Sequence, residues 1–277
     1  MGRLTPDKMG YNMPVIAPLY RPPQGIVHSF RNQEIAMVVY EADEKAVLDI
    51  LPPGVEPTNS PPQLNAWIAR AGLVTGGRDN PVGGYDELQI AIHVTYEGQR
   101  YVYIPYFYIS PSPGSRSDIL GYIRHVRGYP AKTAWITFEK DLGQYIGCVE
   151  RPKRKRLATL TVQPEVSCAP EDIPMGKEPG LLMKLLPNTI EGEPPSVCEL
   201  AQFSYNWAPK ADLSYQGSGT LTFDSPTDID PLYKLAPTRI LSAWYFVVDA
   251  DIPQGKVVKN YLEDWKKAPT KARKRSS

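Results

Sequence analysis

Amine chemistry is the first possibility that the residue pattern raises, because one lysine stands in an unusual place. Lys132 ends the segment Gly128-Tyr-Pro-Ala-Lys132, a proline turn between a helix-like stretch and an apolar strand. Partial burial in such a turn would lower the pKa of the ammonium group and free the amine to attack a carbonyl carbon, which is Schiff-base chemistry. The commoner arrangement is a lysine whose head reaches solvent at the turn. The segment alone therefore does not establish the chemistry.

Basic residues are concentrated in two other places. Arg124, His125 and Arg127 lie close together on the helix-like stretch, where they form either a carboxylate-binding corner or an exposed basic face. The basic run from Arg151 to Arg156 falls between two predicted strands and has no interleaved aromatic residues. A solvated hairpin tip explains this run better than a nucleic-acid surface does. The formal net charge of +1 also gives nucleic acid no bulk attraction.

Several functions have no motif in this chain. There is no nucleophile elbow, phosphate-binding loop or dinucleotide fingerprint, so hydride and phosphoryl transfer have no support. The three cysteines and three histidines lack metal-ligand spacing, and we expect no metal, no other cofactor and no disulfide framework. No apolar run is long enough to cross a membrane, and the N-terminus has no apolar signal core. We expect a cytoplasmic protein that binds neither membrane nor nucleic acid.

The elements that must position these residues are predicted to be mainly strands. The 29 prolines and 17 tyrosines disfavour a helical protein, and runs rich in Val, Ile, Thr, Tyr and Phe lie between the prolines. Tyr96-Glu-Gly-Gln99 resembles a hairpin loop, Asp43 is placed to cap a short helix, and Ser115–Arg127 has apolar residues at helical spacing. The pattern predicts a mostly β fold, an antiparallel sheet or barrel with a few short helices.

The predicted boundaries divide the chain into three parts. Residues 1–24 are expected to form a proline-rich N-terminal arm, 25–265 a single domain, and 266–277 a basic disordered tail. The predicted strands are 35–40, 63–70, 87–96, 101–109, 134–140, 144–150, 157–163, 197–207, 214–223 and 242–249, and the segment 180–186 is expected to be an apolar turn.

Four stretches resemble the acetoacetate decarboxylase family over most of the chain, from about residue 30 to residue 262. They are Phe30-Arg-Asn-Gln-Glu34 with Pro52-Pro-Gly-Val-Glu56, then Gly128-Tyr-Pro-Ala-Lys132, then Leu182-Met-Lys-Leu-Leu-Pro-Asn188 with Pro195-Ser-Val-Cys-Glu-Leu200, and Ser242-Ala-Trp-Tyr-Phe-Val-Val-Asp-Ala-Asp251. This resemblance implies the family's Schiff-base mechanism and its fold, an antiparallel sheet or barrel curled around a central cavity. In that family the first lysine of a Pro-Lys-Lys pair is the nucleophile, and the second is the neighbouring cation that activates it, a known mechanism of the family itself.

The sequence departs from the family pattern at the lysine pair. The pair reads Ala131-Lys132, so an ungapped match leaves only the helper lysine, whereas a shift of one residue makes Lys132 the nucleophile without a helper. The family's arginine in its opening motif is Gln33, and an early strand glutamate is matched by Trp67. Losing that arginine and one carboxylate should change which acid is bound and whether CO2 loss is favoured.

The resemblance and the chemistry of keto-acid decarboxylation together imply roles for the matching residues. Decarboxylation of a β-keto acid needs an iminium electron sink in a dry pocket, and Lys132 would supply it. Glu87 would be the general acid or base if burial raises its pKa, and is otherwise an exposed strand end. Substrate binding would fall to Arg124 or Arg127 as a carboxylate grip, to Tyr85 and Tyr129 as hydrogen-bond donors, and to Glu199, which is expected to be partly buried beside a structural arginine.

These residues favour an acetoacetate decarboxylase-like lyase that uses a Schiff-base lysine on a small keto acid, by decarboxylation or by aldol or dehydration chemistry. Two alternatives stay open. One is a non-covalent isomerase or cyclase that uses Glu87 and tyrosines for proton transfer, and the other is a ligand-binding relative that has lost the nucleophile. The resemblance also implies a homo-oligomer. The direction in which the Lys132 amine points, toward Glu87 or away from it, discriminates between the covalent mechanism and its alternatives.

Overall fold

The computed structural model describes residues 28–71, 84–111, 119–253 and 255–263. The predicted N-terminal arm over 1–24 and the predicted tail over 266–277 lie outside the described residues. Within these ranges most of the chain is in strands, which confirms the prediction of a mostly β protein. No helix among the described residues is long and apolar enough to span a membrane.

The described residues form fourteen strands and a few short helical segments. The strands are β1 (His28–Glu41), β2 (Val55–Pro57), β3 (Gln63–Arg70), β4 (Tyr85–Tyr96), β5 (Gln99–Pro111), β6 (Ala131–Thr133), β7 (Trp135–Asp141), β8 (Gln144–Glu150), β9 (Arg156–Ser167), β10 (Gly180–Leu186), β11 (Val197–Phe203), β12 (Asn206–Phe223), β13 (Arg239–Ile252) and β14 (Lys256–Asn260). The helices are α1 (Glu44–Leu48) and α2 (Ile119–Gly121), which continues as a π-helical turn (Tyr122–Arg127), and two 3₁₀ turns (Pro170–Asp172 and Leu232–Leu235).

All fourteen strands of the described chain belong to one sheet. Its order is β14-β11-β10-β5-β4-β3-β1-β13-β12-β9-β8-β7, with β2 paired to β4 and β6 paired to β5 beside this path. The sheet is open, with β14 and β7 at its two ends, so the barrel alternative is wrong. The expectation of purely antiparallel pairing is also wrong, because β10 and β6 both run parallel to β5. Each reaches β5 through a long connection, which parallel neighbours require.

The sheet curls so that both faces of its central strands are buried. On one face β8 lies over β3, where Gly147 leaves space for the side chain of Ile68. Successive residues of β1 alternate between two cores: Ala36 and Val38 belong to the core inside the curl, and Ile35 and Met37 to the core on the opposite face. This alternation explains why the segment 35–40 is apolar without interruption. The second core holds the site described below.

Several local predictions are confirmed. Asp43 caps α1 and accepts a hydrogen bond from the backbone N–H of Ala46 at 2.9 Å. Glu97 and Gly98 connect β4 to β5 with positive φ values of 49° and 76°, which is the conformation that a two-residue hairpin loop favours. The basic run between β8 and β9 forms a hairpin tip, as expected.

Other local predictions are wrong. The segment 180–186, expected to be an apolar turn, is strand β10, because its Leu-rich run pairs with β11. The predicted strand 197–207 is divided, since β11 ends at Phe203 and β12 begins at Asn206. By contrast, the helix predicted over 115–127 is confirmed over 119–127, mostly as the π-helical turn, and residues 115–118 lie outside the described residues.

Candidate active site

A small cavity lies against the second core, and we call it the inner cavity. It is lined by Phe30, Gln33, Tyr85, Glu87, Gln89, Phe107, Ile123, Arg127, Tyr129, Tyr205, Trp207, Ala250 and Ile252. Its free volume of about 30 Å³ accommodates one or two water molecules. A larger ligand would therefore have to displace some of the side chains that line it.

Glu87 is the carboxylate of the inner cavity, and its side chain is almost completely buried. The residue is 3% exposed, and its Oε1 accepts hydrogen bonds from Gln89 Nε2 at 2.9 Å, Trp67 Nε1 at 3.3 Å and Gln33 Nε2 at 3.4 Å. Burial raises the pKa of Glu87 from 4.5 to about 7, although the hydrogen bonds from Trp67 and Gln89 work against this rise. A carboxyl group with this pKa exchanges its proton at neutral pH.

Three adjacent strands bring these partners to Glu87. Gln33 belongs to β1, Trp67 to β3, and Glu87 and Gln89 to β4, and the three strands pair in the order β1-β3-β4. Residues two apart on a strand share a face, so Gln89 lies beside Glu87. Trp67 is the direct cross-strand partner of Gln89, which places its indole N–H next to the same carboxylate.

Aromatic side chains enclose the opposite wall of the inner cavity. The hydroxyl oxygens of Tyr129 and Tyr205 lie 3.3 Å apart, within hydrogen-bond distance. Burial raises the pKa of Tyr129 to about 12, which keeps its phenol protonated at neutral pH. The indole Nε1 of Trp207 and the amide Oε1 of Gln89 are buried without a hydrogen-bond partner among the described residues. Since unpaired buried polar atoms are costly, a ligand that supplies an acceptor and a donor here would gain binding energy.

Lys132 points away from the inner cavity. Ala131 and Lys132 are neighbours on β6, so their side chains leave opposite faces of the strand. Ala131 is buried in the core next to the cavity, whereas Lys132 Nζ donates to Asp230 Oδ1 at 2.9 Å and to the backbone oxygen of Ile229. The amine thus lies at an ion pair on the side of β6 opposite to Glu87.

The acceptor of Lys132 belongs to a second polar cluster. Asp230 is 4% exposed, and it also contacts Arg151 Nε at 3.1 Å and the hydroxyl of Tyr108 at 3.0 Å. Burial opposes its ionisation, but the hydrogen bonds from Lys132 and Tyr108 and the charges of Lys132 and Arg151 hold the pKa of Asp230 below its usual range. Lys132 therefore compensates a buried carboxylate, a role that nothing in its local sequence indicated.

The remaining candidates divide between the inner cavity, the surface and a neighbouring chamber. Tyr85 and Tyr129 line the inner cavity together with Glu87 and Arg127, while Arg124 is exposed and lines neither space. Glu199 lines a second space of about 240 Å³, which we call the outer chamber. It is bounded by Arg127, Tyr129, Lys184, Glu199, Ala201, Phe203, Gly255, Lys256 and Val257. Glu199 is half-buried as expected, but the arginine partner expected for it is absent from the described contacts.

Three lining residues with hydrogen-bonding side chains were not singled out from the sequence. Gln89 follows Glu87 by two residues on the same strand, and this period-2 spacing could have indicated it. Tyr205 and Trp207 reach the cavity from the junction of β11 and β12. The sequence predicted one continuous strand across this junction, so the break was not foreseen. Among the described residues, no group of three or more His, Cys, Asp or Glu side chains is placed to hold a metal ion.

Comparisons with known proteins all point to the same family. The family model described as acetoacetate decarboxylase matches residues 12–262. The chain is 28% identical over 255 residues to acetoacetate decarboxylase 2 of Mesorhizobium japonicum, covering 91% of this chain and 90% of the relative. It is 26% identical over 250 residues to decarboxylase DEC1 of Cochliobolus heterostrophus, covering 88% and 92%.

Solved structures share the fold at lower identity. A structure of acetoacetate decarboxylase superposes with a TM-score of 0.78 and 22% identity, over 94% of this chain and 100% of that one. The enduracididine biosynthesis enzyme MppR, solved in complex with pyruvate, superposes with a TM-score of 0.73 and 20% identity, over 91% of this chain and 98% of that one. The same open, curled sheet is therefore found in proteins whose names point to different reactions.

Proposed function

The chain belongs to the acetoacetate decarboxylase family, and from that premise we propose that it acts on a small keto acid by proton transfer through Glu87, without a covalent bond to a lysine. The substrate class is supported by relatives named as decarboxylases and by a structural neighbour solved with pyruvate. One observation carries the proposal: among the described residues, the inner cavity is lined by a carboxyl group that titrates near neutral pH and by no lysine.

The pKa of Glu87 suits it to proton transfer in either direction. Catalysis by a general acid or base is most efficient when the pKa of the group is near the working pH, and burial brings Glu87 to about 7. The nearly closed cavity keeps water away from a charge that forms during the reaction. Glu87 can therefore work as the protonated acid or as the carboxylate.

Two keto-acid reactions fit this site, and both pass through an enolate. In a β-keto acid the bond to the carboxylate carbon breaks, its electron pair enters the enolate and CO2 leaves, after which protonated Glu87 delivers a proton to the enolate carbon. In an α-keto acid the Glu87 carboxylate removes a proton from the carbon beside the carbonyl and later returns it. The unpartnered N–H of Trp207 and the phenol of Tyr129 are donors for the enolate oxygen, and Arg127 adds positive charge.

The position of Lys132 argues against the Schiff-base alternative. To reach the inner cavity, its amine would have to leave Asp230 and cross to the other face of β6. That movement would leave a buried carboxylate with one cation fewer, which is destabilising. Ala131, which is buried in the second core, has no nucleophilic atom.

The proposal is tested by hydrogen exchange at the reacting carbon. Pyruvate is incubated with the protein in D2O and followed by NMR, and CO2 release from acetoacetate is measured in parallel. We expect exchange or CO2 release with the unmodified protein, at least 100-fold slower with Glu87→Gln and unchanged within a factor of three with Lys132→Arg. The arginine keeps the cation at Asp230 but forms no imine, so it is the matched control.

Borohydride trapping completes the experiment. After incubation with each keto acid and reduction, peptide mapping should find no adduct on Lys132. An adduct there, lost in Lys132→Arg together with the activity, would overturn the non-covalent mechanism in favour of a Schiff base. Binding of keto acids without exchange or CO2 release would instead show a ligand-binding relative without catalysis.

A further inference from the structure

The outer chamber adjoins the inner cavity through two shared residues. Arg127 and Tyr129 line both spaces, so they form the wall between them. At about 240 Å³ the outer chamber is far larger than the inner cavity. A ligand with its carbonyl beside Glu87 would therefore reach this chamber by displacing the side chain of Tyr129 from the shared wall.

The charged side chains around the outer chamber are mostly cationic. The chamber is lined by three cations, Arg127, Lys184 and Lys256, and by one carboxylate, Glu199. Lys184 and Glu199 are directly opposite on β10 and β11, yet the described contacts contain no ion pair for any of the three cations. Cations left unpaired in a concave, partly enclosed space attract anions.

Two of the cations are held in place by the fold. The Arg127 guanidinium donates to the backbone oxygens of Ile252 at 3.0 Å and Pro253 at 3.2 Å, which fixes its orientation without neutralising its charge. The stem of Lys184 packs over Gly128, where an added Cβ would lie only 3.2 Å from the Lys184 Cβ. Gly128 also has a φ of +84°, a conformation that favours glycine. This glycine both ends the π-helical turn and makes room for the lysine.

We infer that the outer chamber binds a second oxyanion of the substrate, so that the preferred substrate is a keto acid carrying a carboxylate or phosphate away from its reacting carbonyl. This inference rests on the proposed function, because it places the carbonyl at Glu87. The inner cavity would hold the reacting carbons beside Glu87, and the cations of the outer chamber would hold the distal charge. Glu199 limits how much negative charge the chamber accepts.

The test compares two keto acids of equal length. 2-Oxoglutarate has a distal carboxylate where 2-oxopentanoate has a methyl group, and the binding of each is measured by calorimetry. We expect the unmodified protein to bind 2-oxoglutarate at least tenfold more tightly. In Lys184→Gln/Lys256→Gln this preference should disappear, while the affinity for 2-oxopentanoate stays unchanged. Lys155→Gln, on the exposed β8–β9 hairpin tip, is the control for a change of charge alone.

Inorganic phosphate distinguishes the two kinds of oxyanion. If the chamber prefers phosphate, phosphate should compete with 2-oxoglutarate at lower concentration than acetate does, and it should not compete with 2-oxopentanoate. Equal affinity of the unmodified protein for the two keto acids would overturn the inference. An equal loss of affinity for both keto acids in the double lysine variant would overturn it as well. The Glu87→Gln variant should keep the tenfold preference for 2-oxoglutarate. Binding in the outer chamber is therefore tested independently of catalysis by Glu87.

Discussion

Two residues at which the chain departs from the family pattern contact Glu87. The resemblance expects an arginine at Gln33 and a glutamate at Trp67, and the structure places both side chains on Glu87 Oε1. Neutral donors thus replace a cation and an anion around one buried carboxylate. Because a neighbouring cation would lower the pKa of that group, its absence lets burial dominate.

Placing a cation at position 33 should lower the pKa of Glu87. In Gln33→Arg we expect the pKa that governs activity to fall by one unit or more, because the guanidinium favours the carboxylate. Gln33→Met removes the same hydrogen bond without adding charge, so it should leave that pKa unchanged or higher. The pH profile of α-proton exchange measures both. Identical profiles in the two variants would mean that charge at this position does not control Glu87.

At the scale of elements, the short strand β6 directs two neighbouring side chains into different surroundings. The strand alternation buries Ala131 beside the inner cavity and directs Lys132 to Asp230, 98 residues further along the chain. The local sequence left the choice between these two positions open. Only the pairing of β6 with β5 and the distant position of Asp230 resolve it.

A lysine at the alanine position should gain the Schiff-base chemistry that the proposed mechanism does not assign to Lys132. In Ala131→Lys the new amine would enter the dry core near Glu87, where its pKa would be lowered. We expect borohydride to trap pyruvate on residue 131 of this variant and not on the unmodified protein, at a cost of about 1–3 kcal/mol in stability for overpacking. Circular dichroism checks folding. A folded variant without an adduct would place residue 131 outside the reacting space.

The sequence was most informative about elements with local causes. The strand-forming runs between the prolines located strands such as β3 and β8 at their observed bounds, and the Asp43 cap and the Glu97-Gly98 loop have local chemistry. The sequence did not predict the open strand order of the sheet, because strand order depends on pairings between distant segments. The cavity residues Tyr205 and Trp207 were missed because the sequence predicted one continuous strand over 197–207, whereas the chain breaks between β11 and β12.

At the scale of the whole molecule, Glu87 makes folding stability depend on pH. Its pKa is 4.5 ordinarily and about 7 in the folded protein, so between these values the folded protein keeps a proton that the unfolded chain has released. Stability from this group is therefore complete below pH 4.5 and is lost as the pH rises through 7. The loss is on the order of 3 kcal/mol, since one pKa unit corresponds to about 1.4 kcal/mol.

Glu87→Gln should remove this pH dependence, because glutamine stays neutral and keeps nearly the same shape. We expect the variant and the unmodified protein to unfold at similar urea concentrations at pH 4.5, and the variant to be more stable at pH 8.5. Taking the difference between the two proteins at each pH cancels the other groups, including Asp230, whose lowered pKa acts in the opposite direction. A difference that is equal at both pH values would show that Glu87 ionises normally in the folded state, and the neutral-pH acid and base role would then lose its physical basis.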